Sequence, residues 1–140
     1  MKLATTTSDF GIYSDKASEL VNLFEGTGFR YLDLNLYRSI YPGSPFLDAH
    51  WERWIQDAAE AANVHKMSFC QAHAPDGNPF ASGEEYDVFL KATIRSIEAC
   101  GQLKIPHVVL HAKDIGGNPS RAYHGLNLKR NRDFFSLLFP

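Results

Sequence analysis

Two histidines stand at the ends of apolar, β-prone runs: His73 in Gln71-Ala72-His73-Ala74-Pro75, and His111 in Val108-Val109-Leu110-His111-Ala112. Each imidazole is the last residue before a polar loop. In α/β proteins the carboxyl ends of parallel strands open onto the active site. On neighbouring strands the two backbones would lie about 4.8 Å apart, close enough for the rings to share a metal ion or a substrate oxygen. His73 and His111 are therefore the candidate metal ligands. Two imidazoles fall short of the three or four protein ligands that zinc or manganese usually takes. The bland alternative for each is a hydrogen-bonded histidine at a strand end.

Asp33 and Asn35 are candidate substrate-binding residues. In the run Phe29 to Leu36, Leu32, Leu34 and Leu36 share one face and Tyr31, Asp33 and Asn35 the other. A carboxylate opposite three leucines is costly inside a barrel unless it is paired or used. Lys113, two residues after His111, is a third candidate, able to neutralise a substrate oxyanion; the competing reading is a solvated loop lysine. Tyr37, Tyr41 and Phe46 are placed to wall a pocket, whereas Trp51, Trp54, Tyr86 and Phe89 read as core. His50, His65 and His124 are isolated. Gly116-Gly117-Asn118-Pro119 reads as a turn, because no Gly-Lys-Ser/Thr follows it.

The elements that must position these residues alternate in type. Strand patterns cover 3–8, 29–36, 66–73 and 107–111, and helical spacing covers 15–25, 48–63 and 84–104, with a last apolar helix from Asn131. Residues 113–130 read as polar loop. If His73 faces inward, simple alternation sends Gln71, Phe69 and Met67 inward with it and puts Ser68, Cys70 and Ala72 under the helices. Val109 and His107 accompany His111. Strand–helix alternation implies a parallel sheet with right-handed crossovers. Long polar loops after the strands, set against short returns from the helices, are the pattern of a barrel that works at its strand C-termini. A doubly wound sheet lacks its glycine fingerprint here.

The chain has 140 residues and reads as one domain, residues 1–140. Four β/α units are half of an eight-stranded barrel of about 250 residues, so the expectation is an α/β fold forming the N-terminal half of a TIM barrel. A net charge of −2 argues against a nucleic-acid surface; Arg121, Lys129, Arg130 and Arg132 form a local basic cluster of solvated type. Cys70 and Cys100 lack CxxC spacing and read as reduced and buried. No run reaches the roughly 18 apolar residues of a membrane span, and the start of the chain lacks an apolar signal core. The cytoplasm is the expected compartment.

The order of elements, the His73-Ala74-Pro75 triplet and the Val-Val-Leu-His111 strand end resemble the xylose-isomerase-like TIM-barrel superfamily, over nearly the whole chain but only the front half of that fold. The resemblance implies a sugar or sugar-phosphate isomerase or epimerase, with a divalent metal (Mn, Mg, Co or Zn) in the complete barrel and proton transfer next to a carbonyl. In that branch two Glu, an Asp and a His on later strands hold the metal, and no counterparts lie within these residues; the chain alone is then expected to be inactive. His73 and His111 would line the site, and Asp33 and Asn35 would hold sugar hydroxyls. The endonuclease IV branch instead implies His73 and His111 as zinc ligands of a phosphodiesterase acting on abasic DNA. A third reading is a non-catalytic, self-associating fragment. The expected partners are a small sugar or sugar phosphate and further copies of the chain.

Overall fold

A computed structural model describes residues 3–114 and 121–139. Four strands alternate with four helices: β1 (Ala4–Thr6), α1 (Ala17–Asn22), β2 (Tyr31–Asn35), α2 (Trp51–Val64), β3 (Ser68–His73), α3 (Glu84–Leu103), β4 (Val108–Val109) and α4 (Arg121–Ser136). The strands form one sheet in the order β1-β2-β3-β4, and every neighbouring pair is parallel. A chain that steps one strand at a time in one direction, with crossovers of one hand, stacks its helices on a single face. That is how consecutive units of a barrel are laid out, and a doubly wound sheet would reverse direction part-way. The protein is an α/β fold with the layout of the N-terminal half of a TIM barrel.

The helix-side core follows from side-chain spacing. In α2, Trp51, Ile55, Ala58 and Ala62 are buried at intervals of three and four, one face of a helix. In α3 the buried set is Phe89, Ala92, Thr93, Ser96, Ala99 and Cys100. These are mostly small, so the helix lies close on the sheet. The Thr93 and Ser96 hydroxyls donate to the carbonyls of Phe89 and Ala92, each at 2.8 Å, which satisfies two buried polar groups within the helix. Beneath lie Leu32, Leu34 and Leu36 of the β2 region, all fully or nearly fully buried. α3 ends on Lys104, whose backbone is left-handed at φ 55°.

One parity expectation is corrected. Leu32 pairs with Phe69, but Asp33 pairs with Gln71, so Cys70 is an extra residue in β3. A bulge of one residue reverses the alternation on its far side. Phe69 and Met67 therefore lie on the helix side, with Met67 buried beside Val21, Phe24, Leu32 and Ala62, while Gln71 and His73 still face the open side. The Cys70 thiol points at the Leu32 carbonyl, 3.5 Å away.

The end of the chain also differs from expectation. β4 covers only Val108–Val109, so His111 lies two residues past its strand. α4 begins at Arg121 rather than Asn131, so Lys129 and Arg130 are helical rather than loop residues. Phe134 of α4 stacks on Phe89 of α3 at 5.3 Å between centroids, and Leu138, just past the helix, is buried in the same cluster, while Leu126 and Leu128 are exposed. The expected turn at 116–119 lies outside the described residues. Among the described residues no helix is long and apolar enough to cross a membrane.

Candidate functional site

Asp33 is buried on the open face of β2, and its Oδ2 accepts two hydrogen bonds from β3. One comes from His73 Nδ1 at 2.5 Å and the other from Gln71 Nε2 at 3.0 Å. The bulge at Cys70 brings these three side chains to one face. Asp33 Oδ1 is buried without a hydrogen-bond partner among the described residues. A carboxylate on Nδ1 fixes the orientation of an imidazole and leaves Nε2 on the opposite edge of the ring. His73 keeps 21% of its side-chain surface, against 9% for Asp33. The pair is thus a buried carboxyl group holding a partly open imidazole.

His111 stands next to His73 as the strand order requires. Their rings are stacked, 5.6 Å between centroids and 13° from parallel. Tyr37, just after β2, sets its ring edge-on to both, and its hydroxyl lies 2.8 Å from His111 Nε2. Tyr37 is itself placed by Asn35, whose Oδ1 accepts the Tyr37 backbone N–H at 3.1 Å. The Asn35 N–H in turn donates to Thr7 Oγ1 at 3.0 Å. Asn35 therefore shapes the loop that carries Tyr37.

Lys113 sits farther along the same edge. Its ammonium pairs with Asp76, and its backbone N–H and C=O are both held by the Asn131 side chain of α4. The structure thus brings together Asp33, His73, His111 and Tyr37, while Lys113 belongs to a neighbouring ion pair.

The site offers two imidazoles, short of the three or four protein ligands that zinc or manganese takes. His73 Nδ1 is engaged by Asp33 and His111 Nε2 by Tyr37. Nearly parallel rings send their in-plane lone pairs side by side instead of onto one point. Among the described residues no group of three or more His, Cys, Asp or Glu could hold a metal ion. Of the two cysteines, Cys100 is inert by burial, which pushes its thiol up to about 11.

No family model and no curated protein matches this chain. A solved structure described as "Structure of CpGH84B" is similar over 95% of this chain and 24% of its own, at 18% identity and a TM-score of 0.45. A likeness of that strength bears on neither activity nor ligand.

Gln71 and Asn131 are the site residues that sequence reasoning passed over as functional. Gln71 carried a signal, since it lies two residues before His73 and so shares its face. Asn131 carried none, because its role depends on how α4 returns to the loop after β4.

Proposed function

We propose that this chain carries the acid–base element of a sugar or sugar-phosphate isomerase or epimerase, with His73 as the group that moves a proton next to a carbonyl. The observation that supports this reading is the 2.5 Å contact between a buried Asp33 carboxylate and His73 Nδ1 at the carboxyl ends of adjacent parallel strands. Asp33 holds the ring, and Nε2 takes the proton from the carbon beside the substrate carbonyl and returns it to the former carbonyl carbon, while the hydroxyl proton passes to the carbonyl oxygen. Tyr37 and His111 offer a hydroxyl and a ring nitrogen to the substrate oxygens. Asn35 keeps Tyr37 in place. The divalent ion that the resemblance implies would polarise the carbonyl and hydroxyl oxygens, and the two histidines are fewer than the three or four protein ligands it takes.

Backbone amide NMR during titration with a ketose phosphate tests the reading. Saturable shifts are expected around residues 33–37, 71–75 and 109–113, weakened in His73→Gln and much smaller for the corresponding polyol, which lacks the carbonyl. Shifts that survive His73→Gln unchanged, or that the polyol reproduces, would overturn it. Ketoses incubated with the chain and manganese or cobalt are expected to stay unconverted, for want of a third ligand among the described residues. Robust turnover would contradict the half-site interpretation.

A further inference from the structure

A second site lies beside the first, on the other flank of β2. The loop after β1 and the long loop after β2 border a half-open cavity of about 240 Å³ against α1 and α2. Whole substrates and cofactors usually occupy pockets of about 300–1,000 Å³, so this one suits a small group. Its wall includes Thr7, Arg38, Ser39, Tyr41, Ser44 and Trp54.

Two polar groups of that wall lack a hydrogen-bond partner among the described residues. Ser39 is only 6% exposed, and its hydroxyl has no hydrogen-bond partner among the described residues. The indole N–H of Trp54 is likewise buried and unpartnered. An indole can only donate, so whatever satisfies it must present a lone pair. Thr7 Oγ1 and Ser44 Oγ already accept backbone N–H groups, from Asn35 and Phe46, which leaves each hydroxyl proton to point elsewhere. The Arg38 guanidinium lies over the Tyr41 ring, 5.7 Å from its centroid. Buried polar groups in folded proteins almost always have partners, and both of these residues line the one cavity.

We infer that this cavity binds an oxyanion, a phosphate group in particular, held by the Ser39 and Trp54 donors with Arg38 supplying the charge. Asp15 also lines the wall, exposed to solvent, and its carboxylate opposes an anion. The inference does not depend on the proton-transfer reading, because neither His73 nor Asp33 lines the cavity.

The indole N–H signals of Trp51 and Trp54 provide the test, with Trp51 as internal control. Titration with inorganic phosphate is expected to move the Trp54 signal downfield saturably and leave Trp51 in place. Arg38→Ala, an exposed change that leaves the core intact, is expected to weaken binding about tenfold or more, as loss of a charge-assisted hydrogen bond would. Ser39→Ala should weaken it as well, and Asp15→Asn should tighten it. His73→Gln should change nothing, so a failure here is distinct from a failure of the acid–base reading. A Trp54 signal that phosphate leaves unmoved overturns the inference. So does one that glycerol moves equally, or a phosphate response indifferent to both Arg38→Ala and Asp15→Asn.

Discussion

Removing one partner of the Asp33–His73 pair should cost far more than removing the charge of the other. His73→Ala strands a carboxylate with 9% side-chain exposure, left with Gln71 as its hydrogen-bond donor and with Oδ1 already unpartnered. Leaving a buried carboxylate without one of its hydrogen-bond donors costs about 3 kcal/mol. Asp33→Asn keeps the shape of the side chain and abolishes the buried charge. It weakens two hydrogen bonds to a charged acceptor and relieves the desolvation of that acceptor, terms of about 1–3 kcal/mol each and of opposite sign, so the net change should stay within about 1 kcal/mol. The double variant His73→Ala/Asp33→Asn should then recover about 2 kcal/mol relative to His73→Ala alone, a coupling typical of residues in contact. Urea unfolding followed by circular dichroism measures all four proteins. With a slope of about 1–3 kcal/mol per molar, a loss of 3 kcal/mol moves the midpoint by about 1–3 M. A His73→Ala midpoint close to wild type, with strictly additive effects in the double variant, would refute the claim that Asp33 is a buried anion held by His73.

Three further outcomes are expected. A Cβ built on Gly77 would stand 2.1 Å from the Phe89 ring, which is buried and stacked on Phe134. Gly77→Ala should therefore cost about 1–3 kcal/mol and lower Tm by several degrees, a loss that Phe89→Leu should partly relieve; an unchanged Tm would exclude the contact. Burial raises the Cys100 thiol from 9.0 to about 11. A group whose folded pKa is raised stabilises fully below its unfolded value and loses that contribution as pH climbs through the folded one. Wild type should thus lose stability between pH 9 and 11 relative to Cys100→Ala, and parallel pH curves would count against a buried thiol. β1 and β4 are the outer strands of the sheet, each pairing on one side, and open edges favour association. Light scattering at micromolar concentration should show a dimer or larger species, whereas a stable monomer with cooperative unfolding would mean that these units close their own core.

The fold was legible because its signals are local and repeated. The spacing of Trp51, Ile55, Ala58 and Ala62 marks α2, and the leucines at 32, 34 and 36 mark the buried face of β2. The ends of elements were less legible. β4 contracts to two residues because only Val108 and Val109 find ladder partners, opposite Ala72 and His73. α4 starts ten residues early through polar ties, Asn127 to Asp114, Asn131 to the Asn127 and Lys113 carbonyls and Arg130 over the Phe80 ring, and these leave little amphipathic signal in the sequence. The bulge at Cys70 was invisible. Alternation in Met67-Ser68-Phe69-Cys70-Gln71-Ala72-His73 is consistent with either face until the pairing with Leu32 and Asp33 is known. At the site, His73, His111, Asp33 and Tyr37 were all visible as residues on one edge. That Asp33 would bind His73 and Gln71 was not, since it depends on register between strands 38 and 40 residues apart.

Observation of the His73 ring nitrogens by NMR, before and after addition of a ketose phosphate, tests the acid–base role most directly. With Asp33 holding Nδ1, the Nδ1 proton should appear as a resolved downfield signal that vanishes in Asp33→Ala. Ketose phosphate should then shift Nε2 and leave Nδ1 nearly in place. A proton carried by Nε2 over a bare Nδ1, or a ring that ketose phosphate leaves untouched at both nitrogens, would contradict the assignment of His73 as the proton-transferring group.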